Sequence, residues 1–273
     1  MKIPFMKMSG SGNDFILIDH REALLKEDRL KDFIRKVCRR RISVGADGLI
    51  LIERSQKADF KWRFYNSDGS EAEMCGNGGR CAARFAYLKG IAGPSLKFET
   101  LAGILSAQVD GKKVKLEMTK PFGLKLDEVF FLNGEKQIIS NINTGVPHAI
   151  IFVEDLDGID VTRIGSVIRF HPNFAPSGTN VNFVRVGKGS QLSIRTYERG
   201  VEDETLACGT GAVASALVAA FKGLVKSPVL IKTRGGEALT VYFEIEAKEV
   251  KRVFFEGDVH IIYEAEMWEE AYQ

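Results

Sequence analysis

Residues 74–85 read Met74-Cys75-Gly76-Asn77-Gly78-Gly79-Arg80-Cys81-Ala82-Ala83-Arg84-Phe85, and their reading decides the fold. A thiol directly precedes a run of glycines, after which small and apolar residues take up a helical pattern. That order sets a reactive group at a helix N-terminus, where unsatisfied backbone N–H groups and the macrodipole favour negative charge. The chain then repeats the device: residues 207–216 read Ala-Cys-Gly-Thr-Gly-Ala-Val-Ala-Ser-Ala, with Cys208 lying 133 positions after Cys75. The same offset carries Gly45 to Gly178, Phe64 to Tyr197, Glu71 to Glu204, Gly78 to Gly211, Lys89-Gly90 to Lys222-Gly223, Thr100 to Thr233 and Gly103 to Gly236. A chance alignment would not keep turn glycines, thiol and helix exit in step. The period is far longer than that of a solenoid, so it marks a duplicated domain.

Around these two stretches the chain reads mostly as strands. Ser9-Gly10-Ser11-Gly12-Asn13-Asp14 is a Gly-rich loop leading into the apolar run Phe15-Ile16-Leu17-Ile18. A dinucleotide fingerprint would need its glycines after a strand and opening a helix, and here a strand follows. Leu30, Phe33, Ile34, Val37 and Cys38 recur at helical spacing, which makes Cys38 a core thiol. Strand patterns follow at 49–52 and 60–65, then at 96–100, 104–109 and 113–118 with a turn at Asp110-Gly111. Each half thus runs strands, thiol-bearing helix, strands. The expected fold class is α+β: two pseudo-symmetric duplicated domains, residues 1–119 and 120–262, each a curled mixed sheet around a central helix, with the active site in the cleft between them.

Composition narrows the function. The chain has 273 residues, enough for two cores, with 45% hydrophobic and 27% charged residues, as in ordinary globular proteins. A formal charge of +2 gives no electrostatic reason to expect nucleic acid, and the scattered charge argues for a small-molecule or protein partner. Residues 1–10 lack an apolar signal core and no apolar run approaches a membrane span, so the expected setting is the cytoplasm. Four cysteines (Cys38, Cys75, Cys81, Cys208) do not make a disulfide framework, and there the thiols stay reduced. Zinc would require about four closely spaced ligands, whereas His20, His148, His171 and His260 are scattered, so no metal is expected. A redox pair would take the form Cys-x-x-Cys, which is absent.

Two thiols at two helix starts suit proton transfer. A helix N-terminus lowers a thiol's pKa, and the glycines after it let a ligand approach the backbone closely. The same N–H groups bind anions, so they can receive a carboxylate. Stereoinversion at a carbon needs one group to remove its proton and an equivalent group to return one from the opposite face. Negative charge that develops toward the carboxylate is then stabilised by fixed donors. A single cysteine before Gly-x-Gly is equally compatible with a small buried residue. Its recurrence is what argues for chemistry, and Cys81 reads as a helix packing residue.

Residues 9–15, 66–70 and 74–78, together with Tyr197-Glu198-Arg199-Gly200 and Cys208-Gly209-Thr210-Gly211, resemble the diaminopimelate epimerase family nearly end to end. The resemblance implies a cofactor-independent isomerase that interconverts LL- and meso-diaminopimelate on the way to lysine and peptidoglycan precursors. It implies Cys75 and Cys208 as the acid–base pair. Gly76, Asn77, Gly209 and Thr210 would receive the reacting carboxylate, while Asn13, Asn66, Asn180, Glu198 and Arg199 would hold the amines and the distal carboxylate. A guanidinium such as that of Arg199 binds a carboxylate through two parallel hydrogen bonds. His148 and Glu198 would help set thiol protonation, although a histidine after proline is also compatible with a purely structural role. The tail, from about residue 263, would return to the first domain, and a homodimer is compatible with the sequence.

Two positions depart from the family pattern: Val146 stands where some members have Asn before Pro-His, and Gly48 where they have Gln. The alternatives on the same scaffold are a proline or hydroxyproline racemase-like enzyme, which tends to carry His where this chain has Asn77, and a phenazine-pathway-like isomerase, which lacks the cysteine pair. Further off stands a non-catalytic amino-acid binding protein, which would have no need of two thiols.

Overall fold

The chain opens with a hairpin. In the computed structural model, which describes residues 2–132 and 134–273, β1 (Ile3–Gly10) and β2 (Asn13–Asp19) pair antiparallel around Ser11 and Gly12, both at positive φ. The Gly-rich stretch is therefore a tight turn with a strand on each side of it. Then come α1 (Glu27–Val37), β3 (Gly48–Glu53), β4 (Phe60–Asn66), the short β5 (Glu71–Ala72), α2 (Gly76–Leu88), β6 (Ser95–Thr100), β7 (Gly103–Asp110) and β8 (Lys113–Glu117). β3 runs parallel to β2, β6 runs parallel to β4, and the other neighbours pair antiparallel.

Burial explains the sequence pattern. All four residues of Phe15-Ile16-Leu17-Ile18 are at most 1% exposed, because β2 is covered on both faces. Ile16 and Ile18 cluster with Leu30, Phe33, Ile34 and Val37 of α1, while α2 packs against β1, β2, β3, β7 and β8. A strand buried on both faces needs apolar residues at every position and loses the usual alternation. α2 is itself enclosed, and small residues make that approach close: a Cβ at Gly79 would lie 2.8 Å from Leu116 Cδ2.

The second half is β9 (Phe122–Leu132), β10 (Glu135–Asn143), β11 (Pro147–Phe152), α3 (Val161–Arg169), β12 (Asn180–Val186), β13 (Gln191–Glu198), β14 (Asp203–Thr205), α4 (Gly209–Phe221), β15 (Val229–Lys232), β16 (Ala238–Glu246) and β17 (Glu249–Met267). Its pairings repeat those of the first half: β12 parallel to β11, β15 parallel to β13, the other neighbours antiparallel. α2 and α4 are each 13 residues long and begin one residue after Cys75 and Cys208. Both exit through a lysine cap followed by glycine at positive φ, Lys89-Gly90 and Lys222-Gly223, the backbone state in which glycine carries no steric cost.

Two compact units result, Met1–Glu117 with Gly257–Gln273, and Met118–Glu256. The C-terminal half of β17 belongs to the first unit, pairing antiparallel with β1 from Gly10↔Val259 to Ile3↔Met267. Two arginines of α2 fasten it: Arg80 donates to Asp258 O at 3.1 Å and Arg84 to Val259 O. Beyond it Tyr272 packs edge-on against Phe33, ring centroids 5.2 Å apart.

In the second unit α3 lies on β13 through Gly165, where a Cβ would meet Tyr197 Cβ at 2.5 Å. Alanine is favoured over glycine in a helix by about 1 kcal/mol, but here the clash is with an atom fixed to the backbone. We expect Gly165→Ala to lower the unfolding free energy by roughly 1–3 kcal/mol in urea titration; a stabilised variant would show that α3 is not seated on Tyr197.

Candidate active site

In the first unit the candidate residues gather at the start of α2. Cys75 is its N-cap, in extended conformation and half-buried, and its Sγ accepts from the Gly78 N–H at 3.4 Å. Behind it runs a chain of side-chain hydrogen bonds. The guanidinium of Arg80 donates to Asn77 Oδ1 (2.8 Å), Asn77 Nδ2 to Asn13 Oδ1 (2.8 Å), and Asn13 Nδ2 to Asp47 Oδ2 (3.0 Å), with Arg40 donating to Asp47 Oδ1 at 2.7 Å. Each amide has one face occupied and a set orientation, and Asn77 is only 6% exposed. Asn66 ends β4, is exposed, and donates to Ser70 Oγ at 3.0 Å. Gly48 has no room for a side chain: its Cβ would lie 2.5 Å from Tyr65 O and 2.7 Å from the Phe64 ring. The place of a family Gln is thus closed by Phe64.

In the second unit the residues gather at the start of α4. Cys208 is again the N-cap, now buried, with Sγ 3.5 Å from Thr210 Oγ1. Gly209 and Gly211 are buried. A Cβ at Gly211 would lie 2.2 Å from Asn182 Oδ1 and 3.2 Å from Cys208 Sγ, so this glycine is required by close packing beside the thiol. Asn180 holds the corner that follows β13: its Oδ1 accepts the Arg199 backbone N–H at 2.8 Å and its Nδ2 donates to Pro147 O at 3.3 Å. Arg199 donates to Ser177 O at 3.3 Å, and Val146 is half-buried just ahead of β11.

Sequence reasoning passed over Arg80 and Asn182. Both left a signal: Arg80 is a cation among the small residues that open its helix, and Asn180 and Asn182 are alternate polar positions in the strand Asn-Val-Asn-Phe-Val. Their side chains are 0% exposed, so each is anchored by hydrogen bonds within its unit.

Burial sets the electrostatics. It pushes the thiols of Cys38 and Cys81 up to about 12, leaving both protonated and inert as packing residues. None of the four cysteines is in a disulfide. Burial also raises the Glu198 carboxyl. It pushes His148 down to about 3, with the nearby charge of Arg199 acting the same way. Among the described residues no cluster of His, Cys, Asp and Glu could hold a metal ion, and no helix is long and apolar enough to cross a membrane. Below about pH 6.5 an unfolded chain protonates His148 while the folded chain keeps it neutral, so falling pH favours unfolding until about 3. We expect the parent to lose up to about 1.4 kcal/mol per pH unit more stability than His148→Gln between about pH 6 and pH 4. Equal slopes in urea titrations at each pH would show a charged imidazole in the folded state.

The family profile described as Diaminopimelate epimerase matches residues 5–122 and 140–261. A diaminopimelate epimerase of Aquifex aeolicus is 51% identical over 277 residues, covering 97% of this chain and 98% of that protein. One of Archaeoglobus fulgidus is 49% identical over 250 residues, covering 86% and 88%. Among solved structures, a phenazine biosynthesis protein of the PhzF family from Bacillus anthracis superposes with a TM-score of 0.75 at 18% identity, covering 98% of this chain and 99% of that one. A hydroxyproline epimerase from Agrobacterium vitis, with bound trans-4-hydroxy-L-proline, gives 0.70 at 16% identity, covering 97% and 92%. At such identities these two share the two-domain mixed-sheet fold alone. With half of its residues identical to a relative matched over nearly its whole length, the chain belongs to the diaminopimelate epimerase family.

Proposed function

We propose that this protein is an isomerase that interconverts LL- and meso-diaminopimelate, with Cys75 and Cys208 as its two acid–base groups. The observation that carries the reading is the recurrence of a cysteine N-cap on the enclosed helix of each unit, within the same strand order. Inversion requires the two sulfurs to address opposite faces of one carbon. One thiolate takes the proton from Cα, and the electron pair of the broken C–H bond moves into the carboxylate. The other thiol then delivers its proton from the opposite face and becomes the thiolate. Atoms and charge balance without a redox partner, and the reaction consumes no cofactor.

The carboxylate is met by the first N–H groups of the two helices, at Gly76, Asn77, Gly209 and Thr210, where the backbone offers donors with no intrahelical partner. Asn13, Asn66, Asn180, Glu198 and Arg199 hold the amines and the distal carboxylate, and His148 and Glu198 act on thiol protonation. Arg80 supports this from behind by fixing Asn77, and Asn77 in turn fixes Asn13. The setting is the cytoplasm, with a soluble small-molecule substrate and no nucleic acid.

Incubation with LL-diaminopimelate in D2O under reducing conditions should show inversion together with deuterium entry at Cα. Cys75→Ala and Cys208→Ala should each lower inversion by about 10²–10⁴-fold, the usual share of a positioned acid or base. Full inversion by either single variant would sink the two-base mechanism, and proline turnover by the parent would move the substrate class to that of the racemases. Loss of the charge-assisted pair in Arg199→Ala should raise KM by roughly 10–100-fold; an unchanged KM would remove Arg199 from the distal carboxylate.

A further inference from the structure

Asn182 on β12 is fully buried, and its amide can face only one way. Its Nδ2 lies 3.1 Å from Ala149 O and 3.1 Å from His148 Nδ1, while its Oδ1 accepts from Thr196 Oγ1 at 3.0 Å. The Ala149 carbonyl carries no proton and only accepts. Turning the amide over would set two oxygens against each other, so the NH2 group stays on the side of β11. One of its hydrogens goes to Ala149 O and the other to His148 Nδ1. That nitrogen must then present its lone pair, and the single proton of the neutral imidazole resides on Nε2. Nε2 is buried and has no hydrogen-bond partner among the described residues.

We propose that Asn182 is a positioning residue of the reaction, which locks His148 as the neutral Nε2–H tautomer and so makes it a hydrogen-bond donor, not a base, at the Cys208 end of the second unit. The inference rests on the reading of Cys208 as an acid–base group. Neither ring nitrogen can take a proton while the lock holds: Nε2 already bears one, and the Nδ1 lone pair is engaged by an N–H. The surroundings do not reverse this. β10 and β12 place Ile142 and Asn180, neither ionisable, in register with His148. α4 offers Cys208, and the corner after β13 offers Arg199, whose charge opposes a second one on the ring. Asn182 is also packed on the thiol's own helical turn, since Asn182 Oδ1 and Cys208 Sγ flank the space left by Gly211. Its placement thus ties the histidine to the reactive end of α4.

Imidazole 1H–15N correlation spectra of the labelled full chain read the tautomer directly, with His148 assigned as the signal missing from His148→Gln. The expected pattern is Nε2–H, unchanged from about pH 8 to about pH 5. Asn182→Ala should populate both tautomers and lower kcat on LL-diaminopimelate about tenfold with KM nearly constant, the scale of one lost hydrogen bond. Asn182→Asp should invert the tautomer, since a carboxylate accepts from Nδ1–H. An Nδ1–H pattern or a protonated ring in the parent near neutral pH would overturn the proposal, and this reading does not depend on an Asn182 variant folding. So would a parent-like tautomer in Asn182→Ala, or an unchanged kcat once its tautomer has scrambled. If the spectra behave as expected while the parent fails to epimerise diaminopimelate, the substrate assignment fails and the lock stands.

Discussion

A helix enclosed by strands along its length has polar surface left only at its ends, and this constraint organises each unit. α4 has ten buried residues and no charged residue within its span, and α2 has ten buried residues as well. Their backbone donors are spent internally except in the first turn, where the first N–H groups lack partners. That turn is where an anion is most favoured, and in each unit a cysteine caps it. The small residues that follow serve the same end, because a larger side chain at Gly79 or Gly211 would push the helix off its neighbours.

Duplication supplied two like thiols, and divergence made their surroundings different. At the constant offset, the positions of Phe15, Tyr65 and Asn66 in the first unit correspond to His148, Glu198 and Arg199 in the second. The same backbone sites thus hold a phenyl ring, a phenol and an amide in one copy, and three titratable groups in the other. Burial acts on the second set by raising Glu198 and lowering His148, so each group is biased toward its neutral form. Around Cys75 the polar machinery is instead a line of amides ordered by Arg80. The scaffold is shared, while the electrostatics belong to each copy.

Two buried polar residues, Arg80 and Asn182, share a common logic. Arg80 lies in the opening turns of α2 and Asn182 beside the first turn of α4, each fully buried and each bound to a backbone carbonyl. Arg80 sets Asn77, and Asn182 sets His148. A partner that is itself fixed by backbone leaves the dependent side chain one orientation, and buried networks of this kind hold geometry because a broken member strands an unpaired polar group.

The repeat, the helix starts and the two thiols were legible in the chain because they are local: a glycine run, a helical pattern and a constant spacing survive without tertiary contacts. The buried strand at 15–18 and the packing roles of Cys38 and Cys81 were legible for the same reason. The strand β1, the pairing of the C-terminal strand with it and the closing of the Gly48 site by Phe64 were not. Each depends on partners many residues away, such as Val259 for Gly10. By itself the sequence determined the duplicated α+β architecture, the family and the placing of a cysteine at the start of one helix in each half. Only the tertiary structure decided which way the amides of Asn13, Asn77 and Asn182 face and which imidazole nitrogen of His148 bears the proton, because an amide or a ring has no preferred orientation until fixed donors and acceptors surround it.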